Sequence, residues 1–181
     1  LGLEFRRVLF RSGTVDSVQA DTLNFTNRAG QHQSIGLTDK TAIRSISKTS
    51  LDSIKADSFI GSAATPQADG TLKALEVTVF EASLKGSGEG HYGWENADGS
   101  TGTMTNGTVG TLAKTNGRTL TVLYKGGEKQ LIVPEDVPIA YVQAGERSAL
   151  KAGAKIVLFP ADDGKSARGI AVGKDGFTPP M

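Results

Sequence analysis

An all-β protein containing two diverged copies of one small module is what the sequence predicts. Two observations carry the prediction: a series of correspondences in the same order down both halves, and apolar residues that alternate at period two between turn dipeptides.

The repeat opens with Gly13-Thr14-Val15-Asp16-Ser17-Val18, which returns as Gly107-Thr108-Val109-Gly110-Thr111-Leu112. Thr22-Leu23-Asn24-Phe25 then recurs as Thr119-Leu120-Thr121-Val122, and Thr41-Ala42-Ile43 as Val137-Pro138-Ile139. Ile54-Lys55-Ala56-Asp57 matches Leu150-Lys151-Ala152-Gly153, and Asp69-Gly70 matches Asp163-Gly164. Matches in register, separated by small insertions where turns belong, are the mark of a duplicated supersecondary unit.

Within each copy the pattern is that of short strands. Leu120, Val122 and Tyr124 form one apolar face, and Val137, Ile139 and Tyr141 alternate in the same way. Leu75, Val77 and Val79 form a face in the first copy that Ile170 and Val172 match in the second. Asn116-Gly117, Gly126-Gly127, Asp69-Gly70 and Asp163-Gly164 supply the turns, because Gly, Asn and Asp tolerate positive φ. One or two helical turns are expected at Ser50–Ala56, with Ser50 as cap and Leu51 and Ile54 inward, and at the counterpart Ser148–Ala152. A helical turn between the first strands and a final pair is the layout of a small, partly open OB-like barrel of five or six strands.

The expected organisation is therefore two tandem OB-like β-barrels, one at 13–85 and one at 107–176, joined by a Gly-rich aromatic linker at 86–106 and followed by a tail at 177–181. Residues 1–12 are dense in arginine and bulky apolar side chains and read as an adapter-derived arm, in which case the natural start and any export signal are lost; the alternative is an edge strand.

Composition removes whole function classes. With no cysteine there is no zinc-thiolate site, disulfide or thiol nucleophile. The longest apolar runs are far too short for a membrane-spanning helix. Twenty basic against 19 acidic residues give no global field toward nucleic acid or anionic lipid.

Gly88-Glu89-Gly90-His91-Tyr92-Gly93 matches a dinucleotide-binding fingerprint in spacing, but the following Trp94-Glu95-Asn96-Ala97-Asp98-Gly99 cannot form the helix whose N-terminus would face a pyrophosphate. The linker nevertheless gathers Glu89, His91, Tyr92 and the sole tryptophan, Trp94, which are the candidate ligand or partner contacts. Large aromatics in a connector favour burial, so docking onto a barrel is the competing explanation. His91 with Glu89 falls short of a metal ligand set, and the second histidine, His32, lies in the other copy. No Gly-x-Ser-x-Gly elbow is present, and acids such as Asp16, Asp57 and Asp69 occupy turns or strand ends where solvation explains them. No catalytic residue, metal or cofactor is expected.

The chain resembles bacterial exported proteins of the domain-of-unknown-function 5666-like family. The likeness rests on the Gly-Thr-Val opening, Ser50-Leu51-Asp52-Ser53-Ile54-Lys55 ahead of a strand, and Asp69-Gly70-Thr71-Leu72-Lys73-Ala74-Leu75-Glu76-Val77 closing the copy. Gly88 to His91 with Trp94, Met104-Thr105-Asn106, and Gly173-Lys174-Asp175-Gly176 before the final Pro-Pro-Met extend it. Relatives often have tryptophan followed by aspartate where this chain has Trp94-Glu95, which weakens any carry-over to that acid. The resemblance implies tandem OB-like barrels and a periplasmic or secreted location, and brings no established activity. The resulting expectation is a soluble, non-enzymatic binding or structural protein of the bacterial envelope, acting on an unknown protein or small-molecule partner. The alternatives are a single-stranded oligonucleotide-binding module, for which the surplus of bases in 107–176 is the motive, and a metal-binding accessory protein.

Overall fold

A computed structural model describes residues 12–96 and 98–180; the expected arm at 1–12 lies outside these except for Ser12. The described chain is all-β. In order it forms β1 (Ser12–Gln19), β2 (Thr22–Asn27), β3 (His32–Gly36), β4 (Ala42–Thr49), β5 (Phe59–Pro66), β6 (Leu72–Ala74) and β7 (Val77–Phe80). There follow β8 (Gly90–Glu95), β9 (Thr101–Ala113), β10 (Arg118–Tyr124), β11 (Gly127–Val133), β12 (Ile139–Ala144), β13 (Lys155–Pro160) and β14 (Ala167–Gly173). Two compact units result, one made of 48–143 and the other of 12–47 together with 144–179.

In the unit 48–143, β9, β10 and β11 form an antiparallel meander. β11 then pairs in parallel with β6, β6 returns antiparallel to β5, and β5 closes on β9, giving a closed five-stranded β-barrel. Period-two alternation sends Ile60, Ala64, Leu72, Val109, Leu120, Val122, Leu131 and Val133 into one core, where Ile54 and Ile139 join them. Each fully buried side chain of this size contributes about 2 kcal/mol by leaving water. β7 continues antiparallel along β5, and β12 lies parallel to β7.

The other unit repeats these pairings. β1 and β2 pair antiparallel, as do β2 and β3, and β1 pairs with β13 as β9 does with β5. β13 pairs antiparallel with β14, and β14 runs parallel to β4 as β7 does to β12. β3 returns to the start of β14 through a parallel bridge between Gly36 and Ser166, with the Gly36 N–H donating to the Lys165 carbonyl at 2.8 Å. Val15, Leu23, Phe25, Ile35, Ile156, Leu158, Ile170 and Val172 fill its core.

These units cut across the expected division at 13–85 and 107–176. Strands β1 to β4 associate with β13 and β14, while β5 to β7 associate with β9 to β12. The two crossing points are equivalent: the spacing that matches Ile43 with Ile139 also matches Ser47 with Gln143, the residues after which the chain leaves one unit for the other. Periodicity marks which face of a strand is apolar and is silent about its neighbour.

The expected linker is also different in kind. Gly90 to Glu95 pair residue for residue with Asn106 to Thr101, so most of 86–106 is a β-hairpin, turned at Asn96–Ser100 by Asp98, whose Oδ1 accepts from the Ser100 N–H at 2.9 Å. Tyr92 and Trp94 have the ring shapes that suit a pleated surface, and the segment pairs as strands where its glycine content suggests a linker.

The helical turns are single 3₁₀ turns at Leu51–Ser53 and Arg147–Ala149. Ser50 makes no side-chain cap; the Ser53 hydroxyl donates to the Ser50 carbonyl at 2.7 Å instead. Leu51 and Ile54 do pack on the barrel core. Along Leu75, Val77 and Val79 the expected face breaks: Val77 and Val79 are buried, whereas Leu75 is 42% exposed. The strand is interrupted between β6 and β7: Leu75 and Glu76 continue the alternation of β6, in which Leu72 and Ala74 are buried and Lys73 is exposed, and the phase changes at Val77.

Candidate functional site

Strand alternation decides how the candidate contacts are arranged. On β8, His91 and Glu95 project to one face and Tyr92 and Trp94 to the other, so neighbours in sequence are separated by the thickness of the sheet.

On the first face, His91 lies opposite buried Thr105 of β9, with Nδ1 and Thr105 Oγ1 2.8 Å apart. Its ring stacks on Tyr124 at the end of β10, with centroids 6.0 Å apart and planes inclined by 24°. Partial burial, and secondarily the positive charge of Lys129, hold the imidazole below its ordinary pKa. On the second face the Tyr92 hydroxyl accepts from Asn106 Nδ2 at 3.0 Å, and the same amide donates to the Gly88 carbonyl at 2.9 Å. Tyr92 remains 42% exposed, and Trp94 is half-buried. Glu89 precedes the strand and uses Oε2 to accept the Lys125 N–H at 2.8 Å, tying the hairpin to the β10–β11 turn.

The structure thus brings His91 together with residues that the candidate set left out: Thr105, Tyr124 and Lys129. A signal for two of them exists in the sequence. Tyr124 ends the apolar face begun by Leu120 and Val122, and Lys129 lies directly opposite Val122 across a two-residue turn. His32 belongs to the other unit, on β3, where its Nδ1 lies 3.3 Å from Asp16 Oδ2. Among the described residues no group of three or more His, Asp or Glu side chains is placed to hold a metal ion.

The acids in turns serve the turns. Asp69 is held below the usual carboxylate range by the hydroxyl and N–H of Thr71, and Asp98 likewise by Ser100. Asp163 is lowered by the N–H groups of Lys165 and Ser166. Glu76 is the exception and was not legible as one. It is fully buried in the break between β6 and β7, where its Oε1 accepts the Ala63 N–H at 2.8 Å and its Oε2 accepts from Thr78 Oγ1 at 3.1 Å. The Glu76 carbonyl accepts from Ser62 Oγ at 2.7 Å. The strand break leaves the Ala63 N–H without a main-chain acceptor in the ladder, and the side-chain carboxyl takes that place. Burial pushes the carboxyl up to about 7, against the opposing effect of its two hydrogen-bond donors.

No known protein family, curated protein or solved structure matches the chain. Among the described residues, no helix is long and apolar enough to cross a membrane.

Proposed function

We propose that this chain is a non-enzymatic binding protein of the bacterial envelope, of the domain-of-unknown-function 5666-like kind, whose contact surface is the β8–β9 hairpin. The observation that carries the proposal is the position of β8. It is the last strand in the order of its unit and bears aromatic side chains on both faces, Tyr92 and Trp94 on one and His91 over Tyr124 on the other. Aromatic rings at the margin of a rigid sheet offer large contact area at little entropic cost.

The scaffold in this proposal is a pair of small OB-like barrels. A three-strand meander whose third strand is flanked in parallel by the last strand of the ring supports it, as does a 3₁₀ turn ahead of β5 and of β13. Each barrel would take its first strands from one repeat and its last strands from the other, the arrangement left when a strand-exchanged pair of modules becomes one chain. Fold alone gives no activity, so the argument for binding rests on the hairpin.

Trp94→Ala separates recognition from packing. The expected result is retention of the fold, with stability lowered by about 1 kcal/mol, and loss of capture of a protein partner that the unsubstituted protein draws from an envelope extract. Denaturant midpoint and partner capture are measured on the same preparations, and no capture by the unsubstituted protein would contradict the reading. A variant that is strongly destabilised yet keeps the partner would assign Trp94 to packing and remove the hairpin from the contact surface.

A further inference from the structure

We propose that His91, Lys129, Tyr124 and Thr105 form a binding site for a small oxyanion, a phosphate or carboxylate group, at one end of the closed barrel. The proposal rests on the hairpin reading above and gives it a ligand class.

Leu120, Val122 and Tyr124 follow one another on the inward face of β10, and Leu131 and Lys129 sit opposite Leu120 and Val122 on β11. Leu120, Val122 and Leu131 fill the core; Lys129 lies level with Val122, and Tyr124 follows one step further on the same face. His91 reaches this end from β8, fixed by Thr105 from β9 and by the Tyr124 ring. Two groups able to carry positive charge therefore lie toward the same end of the barrel, and Lys129 disfavours protonation of His91. Among the described residues no carboxylate makes an ion pair with either. Glu89, which precedes β8, has one carboxylate oxygen engaged by the Lys125 N–H, and Glu95, which shares the His91 face, stands four residues further along the strand. The donors left for a ligand are the Lys129 ammonium, Nε2 of His91 and the Tyr124 hydroxyl. An oxyanion between them would relieve the repulsion and accept charge-assisted hydrogen bonds.

The other unit supplies an internal comparison. Phe25 and Gln33 pair there as Val122 and Lys129 pair here, and Asn27 stands where Tyr124 does. Asn27 is committed to its own turn, its Oδ1 accepting from the N–H groups of Ala29 and Gln31. A neutral amide pair thus replaces Tyr and Lys, so the charged cluster is particular to one unit and is not demanded by the barrel.

Binding and protonation of His91 must be linked. With two histidines in the chain, ring signals in nuclear magnetic resonance read each titration separately, His32 serving as control. Titrations are run in chloride, in inorganic phosphate and in acetate at one ionic strength. The expected result is that phosphate, acetate or both raise the proton affinity of His91 about threefold or more while His32 is unchanged. Lys129→Gln should raise His91 in chloride alone and abolish the anion response. Identical His91 titrations in all three salts, an equal shift at His32, or an undiminished response in Lys129→Gln would each overturn the site. Because His91 and Trp94 lie on opposite faces of β8, that failure is distinguishable from failure of the hairpin as a contact surface.

Discussion

Raising the pH from 4 to 8 is expected to cost this protein about 3 kcal/mol of stability through Glu76 alone. Its folded pKa of about 7 lies above the ordinary value of 4.5, so the folded state binds the proton more tightly than the unfolded chain. The stabilisation is full below the unfolded pKa, declines as pH rises between the two values, and is lost above the folded one. A shift of this size corresponds to about 3 kcal/mol at about 1.4 kcal/mol per pKa unit. Glu76→Gln keeps an acceptor for the Ala63 N–H and removes the titration, so the difference between the two proteins' denaturant midpoints isolates the effect from other acids. That difference should change by about 3 kcal/mol over the range; parallel curves would mean that Glu76 is not buried as described. Glu76→Ala should cost about 3 kcal/mol at pH 5, since it leaves the Ala63 N–H buried without an acceptor and opens a void.

Gly13→Ala and Gly107→Ala are each expected to destabilise by about 3 kcal/mol. A Cβ at Gly13 would run into the carbonyl oxygen of Thr26, and one at Gly107 into that of Leu123, both backbone atoms of the adjacent strand. Such atoms cannot yield as the end of a flexible side chain can, so the strand pairing itself must open. Gly93→Ala is the control, because nothing lies within 4 Å of its Cβ position. Denaturant unfolding of the three variants should show two large losses and one change below about 0.5 kcal/mol. This close approach gives a physical reason for Gly-Thr-Val to occur at both positions.

That opening shows what was legible in the sequence. Glycine where backbones nearly touch, and alternation along Leu120 and Val122, are local demands that each residue answers alone, so the all-β class and most strand faces were readable. Strand partnership was not. β5 and β13 present equivalent apolar faces, Ile60 in one and Ile156 in the other, and nothing local says whether β9 or β1 receives them. Glu76 escaped because the alternation that buries Leu72 and Ala74 also sends Glu76 inward and Leu75 outward, and a face drawn back from Val77 and Val79 reads straight through the break where the phase changes. The candidate site was half readable for the same reason. His91 and Trp94 stand out as rare residues, but the partners of His91 come from β9, β10 and β11, which only the closed ring brings to one end.

Exchange of strands between the two halves is the claim on which this architecture rests, and cutting the chain between them tests it. A protease site placed in the exposed turn at Asp98–Gly99 divides the chain into a piece carrying β1 to β8 and a piece carrying β9 to β14. The pairings of β5 with β9, β6 with β11, β1 with β13 and β4 with β14 all join one piece to the other. The cut protein is therefore expected to elute as one species at micromolar concentration, with strand content unchanged, and to separate only in denaturant. Two pieces that part in native buffer, each keeping a folded barrel of its own, would contradict it.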